Sequence, residues 1–239
     1  MDQANTLTGK NAMVTGGGRG IGYAIARRLG KMGARVAICG RNSQELNNAA
    51  SRLRVEGIEV FAPVADITHG DQIKALVDEV QRELGSIEIL VNNAGIGIFG
   101  ALQDRTEQDW DSVINTNLKS VFLVSRLVIP EMIRKKSGYI INISSLAGKS
   151  TFAGGGIYCA SKWGLLGLTG CMAEDLRSYG IRVSAICPGS VATDFSPHTG
   201  KDTSKMLQPE DVAYAVAALV TQAPGSFISE VQMRPTQKP

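Results

Sequence analysis

Ala12-Met13-Val14-Thr15-Gly16-Gly17-Gly18-Arg19-Gly20-Ile21-Gly22 is the stretch on which the reading of this chain turns. Ala12 to Val14 is a short apolar run of the kind that forms a buried strand. Ile25, Ala26 and Leu29 then fall on one face of a helix expected from Ile21 to Met32. Five glycines stand between the two or at the helix start. Glycine allows the tight turn, and backbone N–H groups at a helix N-terminus attract a pyrophosphate. The spacing is G-x-x-x-G-x-G at Gly16, Gly20 and Gly22, not the general G-x-G-x-x-G of dinucleotide-binding turns. A Gly-rich turn that holds nothing is the competing reading. The strand before it and the helix after it favour the phosphate cradle.

The alternation continues along the chain. Further strands are expected at Arg35–Cys39, Glu59–Phe61, Ile87–Val91, Tyr139–Ile143, Arg182–Ile186 and Phe227–Ser229. Helices are expected at Ser43–Val55, Asp71–Leu84 and roughly 107–135, 157–178 and 209–221. Strand-helix alternation without a linker or repeat predicts the α/β class: one domain over residues 1–239, a doubly wound parallel sheet of Rossmann type with helices on both faces.

Composition narrows the function. With 239 residues, 44% of them hydrophobic and 20% charged, the chain reads as an ordinary globular protein able to bury a sizeable core. A net charge of +3 and no basic stripe with interleaved aromatics argue against a nucleic-acid partner. No apolar run approaches the ~20 residues of a membrane span. Met1-Asp2-Gln3-Ala4-Asn5 lacks the features of a signal peptide. Four cysteines without C-x-x-C spacing and two histidines argue against a metal site, a disulfide framework or a histidine triad. Reduced thiols in a cytoplasm are the simpler expectation.

Ligands in such sheets bind beyond the carboxyl ends of the strands, so the chemistry is expected in the residues that follow each strand. After the second strand stands Arg41, where NAD-binding proteins place an acid; with Arg19 it provides two guanidiniums for a 2′-phosphate, which predicts NADP(H). After the third come Asp66 and Ile67, Asp66 being placed to accept from an adenine amino group or to cap the next helix. Asn92-Asn93-Ala94-Gly95 is small enough for a cofactor to lie against its backbone, or is a turn that bonds to itself. Asn117 interrupts an apolar helix face, a sign of a polar network or a kink. Ser145 ends the fifth strand 13 residues before Tyr158. Tyr158 and Lys162 are four apart at the start of a helix, and so share a face. A neighbouring ammonium favours the phenolate, lowering a pKa ordinarily near ~10 toward general acid-base use. The sixth strand runs into Pro188-Gly189-Ser190-Val191-Ala192-Thr193. Segment 194–207 is polar, holds Pro197 and Gly200, lacks an apolar stripe, and is expected to be a mobile substrate cover.

Taken together, Thr15-Gly16-x-x-x-Gly20-x-Gly22, Asn92-Asn93-Ala94-Gly95, Asn117, Ser145, Tyr158-x-x-x-Lys162 and Pro188-Gly189 closely resemble the short-chain dehydrogenase/reductase family, most nearly its 3-oxoacyl-acyl-carrier-protein reductase and carbonyl reductase branch. The resemblance spans nearly the whole chain, in order. It implies an NADPH-dependent reduction of a ketone or aldehyde, including a 3-oxoacyl group, in which Tyr158 protonates the carbonyl oxygen and Ser145 holds it. Lys162 would lower the Tyr158 pKa and bind the nicotinamide ribose, while Asn117 supports a water that relays protons to Lys162. It also implies cofactor contacts from Gly16, Arg19, Gly20, Ile21, Gly22, Arg41, Asp66, Ile67, Asn93, Ala94, Gly95, Tyr158, Lys162, Pro188, Gly189, Val191 and Thr193. A homodimer or homotetramer through the helices holding Asn117 and Tyr158 is implied as well.

The C-terminus departs from that family. Its common Asp-Gly-Gly ending is replaced by Glu230-Val231-Gln232-Met233-Arg234-Pro235, which bears on subunit contacts rather than on the chemistry. Gly164, Gly167 and Gly170 suit close helix packing, either between copies or within one. A non-catalytic NADP(H)-binding sensor or scaffold is the alternative reading, and intact Tyr158, Lys162, Ser145 and Asn117 argue against it. For an acidic acyl-carrier partner the candidate basic patch is Arg134-Lys135-Lys136, though cations at a helix C-terminus are favourable on their own account. Pocket walls are expected from Ile96 to Phe99, Leu146 to Phe152 and the cover, which suits an apolar carbonyl compound.

Overall fold

Strands whose two faces are both covered by helices tolerate apolar residues at every position, and this chain uses that freedom. The computed structural model describes residues 6–195 and 202–237. In it β1(Asn11–Thr15), β2(Arg35–Cys39), β3(Val60–Phe61), β4(Ile89–Asn92), β5(Gly138–Ile143), β6(Ile181–Pro188) and β7(Glu230–Met233) form one sheet in the order β3-β2-β1-β4-β5-β6-β7. Every pairing is parallel.

Neighbouring residues of a strand point to opposite sides, and the core divides accordingly. Ala12, Val14, Val36, Ile38, Ile89 and Val91 pack under α1(Gly20–Lys31), α2(Ser43–Val55) and α7(Pro209–Val220). Met13, Ala37, Leu90, Ile140 and Val183 pack under α3(Gly70–Leu84), α5(Ser120–Lys135) and α6(Gly156–Arg177). The chain winds outward from β1 to β3, then returns to β4 on the other side of β1. The order therefore reverses between β1 and β4, and their carboxyl ends part to leave a crevice.

Two expectations need correction. The last strand begins at Glu230, not Phe227. Ile228 and Ser229 do approach the sheet edge, their carbonyls accepting from Ser184 Oγ at 2.6 Å and Ala185 N at 2.9 Å. Strand pairing runs only from Ala185↔Glu230 to Pro188↔Met233. Nor is 107–135 one regular helix. α4(Glu107–Ile114) passes into a π turn at Asn115–Lys119 before α5 begins. The wider turn accompanies inward rotation of Asn117, whose side chain is spent on a neighbouring loop.

Of the cover, residues 196–201 lie outside the described residues. Its far end is tied down: Met206 is buried, and Leu207 accepts from Ala192 N at 2.8 Å and donates to the Ser190 carbonyl at 3.0 Å, both in the segment after β6. Gly164 packs within the chain, since a Cβ there would come within 2.9 Å of Leu118, whereas Gly167 and Gly170 face open space.

A buried polar chain ties strands β4 and β5 to α5 and α6 on one face of the sheet. Asn92 Nδ2 donates to Ser125 Oγ at 3.2 Å and to Asn142 Oδ1 at 2.9 Å; Asn142 Nδ2 donates to Thr169 Oγ1 at 2.9 Å. All four side chains are buried, where an unmade bond costs far more than a made one gains. Asn142→Ala should lower the unfolding free energy by about 1–3 kcal/mol, the cost of an orphaned buried polar group. Urea unfolding checks this, and a loss under about 0.5 kcal/mol, within the noise of a surface substitution, would deny the network a structural role.

Candidate active site

The ends of β1 and β4 are joined through one hydroxyl. Thr15 Oγ1 accepts from both Asn93 N and Ala94 N at 3.1 Å, and Asn93 Nδ2 returns bonds to the Thr15 carbonyl at 2.9 Å and the Gly16 carbonyl at 3.2 Å. The Gly-rich loop is thereby fastened against Ala94. Gly16 has φ +66°, and a Cβ on it would sit 2.9 Å from Ala94 Cα; on Gly22 a Cβ would meet the Gly16 carbonyl oxygen at 2.2 Å. Neither position accepts another residue without the loop moving. Asn93 is thus more than a self-bonded turn residue.

α1 begins with no side-chain cap and no acid in its first turn, unlike α2, capped by Asn42, and α4, capped by Thr106 with Asp109. Uncapped first-turn N–H groups beside a glycine loop form an anion cradle. Beside it, Arg19 pairs with Glu45 at 3.4 Å and Asp194 at 3.7 Å, and Arg41 pairs with Asp66 at 3.8 Å. Asp66 does not cap α3. Its Oδ1 takes the backbone N–H and hydroxyl of Thr68 at 2.9 and 2.8 Å, forming a local turn. Burial works against its charge, yet those bonds and Arg41 hold its carboxyl below the ordinary value.

Tyr158, Ser145 and Lys162 meet at the ends of β5 and β6. Tyr158 is hydrogen-bonded to Ser145, whose Oγ also accepts from Ala147 N at 3.1 Å. Lys162 is buried and donates from Nζ to the Ile143 carbonyl at 2.9 Å, leaving its ammonium 5.8 Å from the centre of the Tyr158 ring. The lowered tyrosine pKa expected from this pair is therefore absent here. Burial pushes the Tyr158 phenol up to about 12, only partly offset by Ser145, and pushes Lys162 down to about 8. Sharing a helix face brought the two side chains together, but desolvation outweighs their attraction.

Asn117 acts through the backbone. Its Oδ1 accepts from Ile96 N at 2.8 Å while Nδ2 donates to the Ile96 carbonyl at 2.9 Å and to Ser161 Oγ at 3.1 Å. This two-way clamp fixes the loop after β4 against α6, with both polar atoms of the side chain already partnered.

Apart from Asn117, every residue singled out as catalytic or cofactor-binding lines one cleft of about 1560 Å³. That exceeds the roughly 300–1,000 Å³ of a single small-molecule site, leaving space for two ligands. Glu45 and the tail Arg234 to Gln237 also line it, and sequence reasoning missed them. The carboxyl-end rule applied to β7 points to Arg234, and misplacing that strand hid it. Arg134-Lys135-Lys136 lies elsewhere. It ends α5 just before β5 starts, at the amino edge of a parallel sheet, and Arg134 and Lys135 are paired with Glu131 and Glu88.

Comparison with known proteins agrees with this architecture. The family model for short chain dehydrogenase matches residues 10–204. The 3-oxoacyl-[acyl-carrier-protein] reductase of Staphylococcus epidermidis is 38% identical over 223 residues, 89% of this chain and 91% of that protein. A metagenomic short-chain oxidoreductase, crystallised with NADP, is 45% identical with a TM-score of 0.87, covering 97% of this chain and 99% of its own. A variant of the actinorhodin polyketide ketoreductase, crystallised with NADPH, is 33% identical with a TM-score of 0.88, covering 95% and 96%. Sheet order, the locked glycine loop and near-complete matches in sequence and structure lead to one conclusion: this chain belongs to the short-chain dehydrogenase family.

Proposed function

We propose that the chain reduces a ketone or aldehyde to an alcohol using NADPH, with Tyr158 as the proton donor. The observation that carries the reading is a single cleft lined by Tyr158, Ser145 and Lys162 and also by Arg19 and Arg41. Arg41 follows β2 and Ser145 follows β5, three strand spacings apart across the sheet, or about 14 Å at ~4.8 Å each. That span suits an extended dinucleotide, and solved relatives hold NADP or NADPH.

The residues fit such a cofactor. Gly16, Gly20, Ile21 and Gly22 offer backbone N–H groups to the pyrophosphate, and Ala94 and Gly95 a smooth wall. Arg19 and Arg41 receive the 2′-phosphate. Their present carboxylate partners lie at 3.4–3.8 Å, and each pair has its guanidinium exposed, only Asp66 being partly buried; largely exposed pairs are worth at most about 1 kcal/mol, so redirecting them costs little. Bound NADPH supplies the hydride, which no side chain can.

Proton handling belongs to the protein. Because burial pushes its phenol up to about 12, Tyr158 carries its proton at neutral pH and can give it to a carbonyl oxygen. Ser145 holds that oxygen beside the phenol, a role supported by the bond from Ala147 N that fixes its hydroxyl. The phenolate left behind is stabilised by the buried cation of Lys162, an interaction stronger in the product state than before transfer. Asn117 is a positioning residue that holds the wall of the site through Ile96.

Tyr158→Phe is expected to remove at least nine-tenths of the reduction rate while leaving NADPH binding nearly intact, since general acid catalysis is typically worth ~10²–10⁴-fold. NADPH absorbance and a binding titration read the two effects separately. Arg41→Asp should cut kcat/KM for NADPH by roughly ten- to a hundredfold, the worth of a charge-assisted bond, with far less effect on NADH. A wild-type preference for NADH would defeat the cofactor assignment.

The pH dependence of stability tests the buried lysine. Lys162 loses its proton near 8 in the folded chain but near 10.5 when unfolded. Between those values only the unfolded state binds the proton, so this group makes stability rise with pH. Lys162→Met removes that gain. Relative to wild type, it should be more stable at pH 7 than at pH 10 by denaturant unfolding; a constant difference would show that the ammonium is not desolvated.

A further inference from the structure

Two phenylalanines from different loops pack against the Tyr158 ring, and a third, from another loop, packs beside one of them. Phe99, after β4, meets the tyrosine edge-on with 5.4 Å between centroids; Phe195, after β6, is tilted against it at 5.7 Å; Phe152, after β5, stands 6.0 Å from Phe99. All three line the cleft, yet they are 36%, 41% and 50% exposed for Phe99, Phe195 and Phe152. Aromatic side chains with that much bare surface inside a cleft are contact surfaces in waiting rather than core.

Two glycines set how these rings lie. A Cβ on Gly97 would fall 2.5 Å from Phe99 and 3.0 Å from Phe195, and one on Gly155 would fall 2.6 Å from Phe152. Each ring is therefore seated on bare backbone, closer than any side chain at 97 or 155 permits. The result is a collar of aromatic faces and edges beside the Tyr158 ring. An aryl group in it gains offset or edge-to-face contacts that a saturated ring of equal size does not. A linear acyl chain would fill the same space without that geometry, and at a greater loss of rotamer freedom.

We infer that the carbonyl compound taken at Tyr158 is an aryl ketone or aryl aldehyde, its ring held among Phe99, Phe152 and Phe195. This rests on the carbonyl-reductase reading and names its substrate class. Two or three aromatic contacts amount to about a tenfold preference in affinity.

The test compares acetophenone with cyclohexyl methyl ketone, which share a carbonyl and nearly a shape. Ligand-observed NMR titration of the full chain with NADP⁺ present gives affinity, and NADPH consumption gives turnover. Acetophenone should bind about tenfold more tightly, and Phe152→Leu and Phe195→Leu should each bring the ratio below about threefold while circular dichroism stays unchanged. Equal binding of the two ketones, binding of neither, or a ratio untouched by both variants overturns the collar. Selective binding without turnover upholds the collar and sinks the reductase reading, whereas turnover of both ketones at equal affinity does the reverse.

Discussion

The hydroxyl of Thr15 is the joint on which the cleft depends. By accepting two backbone N–H groups from the residues just after β4, it links the two strands between which the strand order reverses. Everything proposed to bind the cofactor's phosphates lies on one side of that joint, and everything proposed to move a proton lies on the other. Asn93 doubles the fastening by reaching back to the carbonyls of Thr15 and Gly16. A crevice opens where the strand order reverses, and here it is spanned by these hydrogen bonds and by the close seating of Gly16 against Ala94.

Burial, more than charge pairing, sets the chemistry at the far side. Lys162 and Tyr158 are both withdrawn from water, and withdrawal pushes each toward its neutral form. The lysine spends its proton-bearing end on the Ile143 carbonyl. On the proposed mechanism the ammonium matters most once negative charge appears on the phenol, where its attraction is stronger for the product state than before transfer.

How much of this was legible in the sequence follows from the range of the forces involved. Strand-helix alternation is local, and α2 and β2 matched their expected limits to the residue. Cleft-lining residues were legible because a parallel sheet puts every strand's carboxyl end on one edge, so order along the chain translates into place. Edge strand β7 was placed three residues early, since apolar Phe227 and Ile228 looked more strand-like than Glu230 and Gln232; pairing with β6, not propensity, decides an edge. The π turn at Asn115–Lys119 carried a signal in Asn117, but its partner Ile96 lies 21 residues away and no periodicity reports it. Direction of the tyrosine's shift failed for a similar reason: spacing shows which groups meet, while desolvation depends on everything packed around them.

Seating rings on bare glycine couples positions far apart in the chain. At Gly97 the far edges of Phe99 and Phe195 both approach the space a Cβ would take, at 2.5 and 3.0 Å. A side chain at 97 therefore makes Phe99 swing aside and Phe195 give by a few tenths of an ångström, so one substitution there reshapes two walls of the cleft at once.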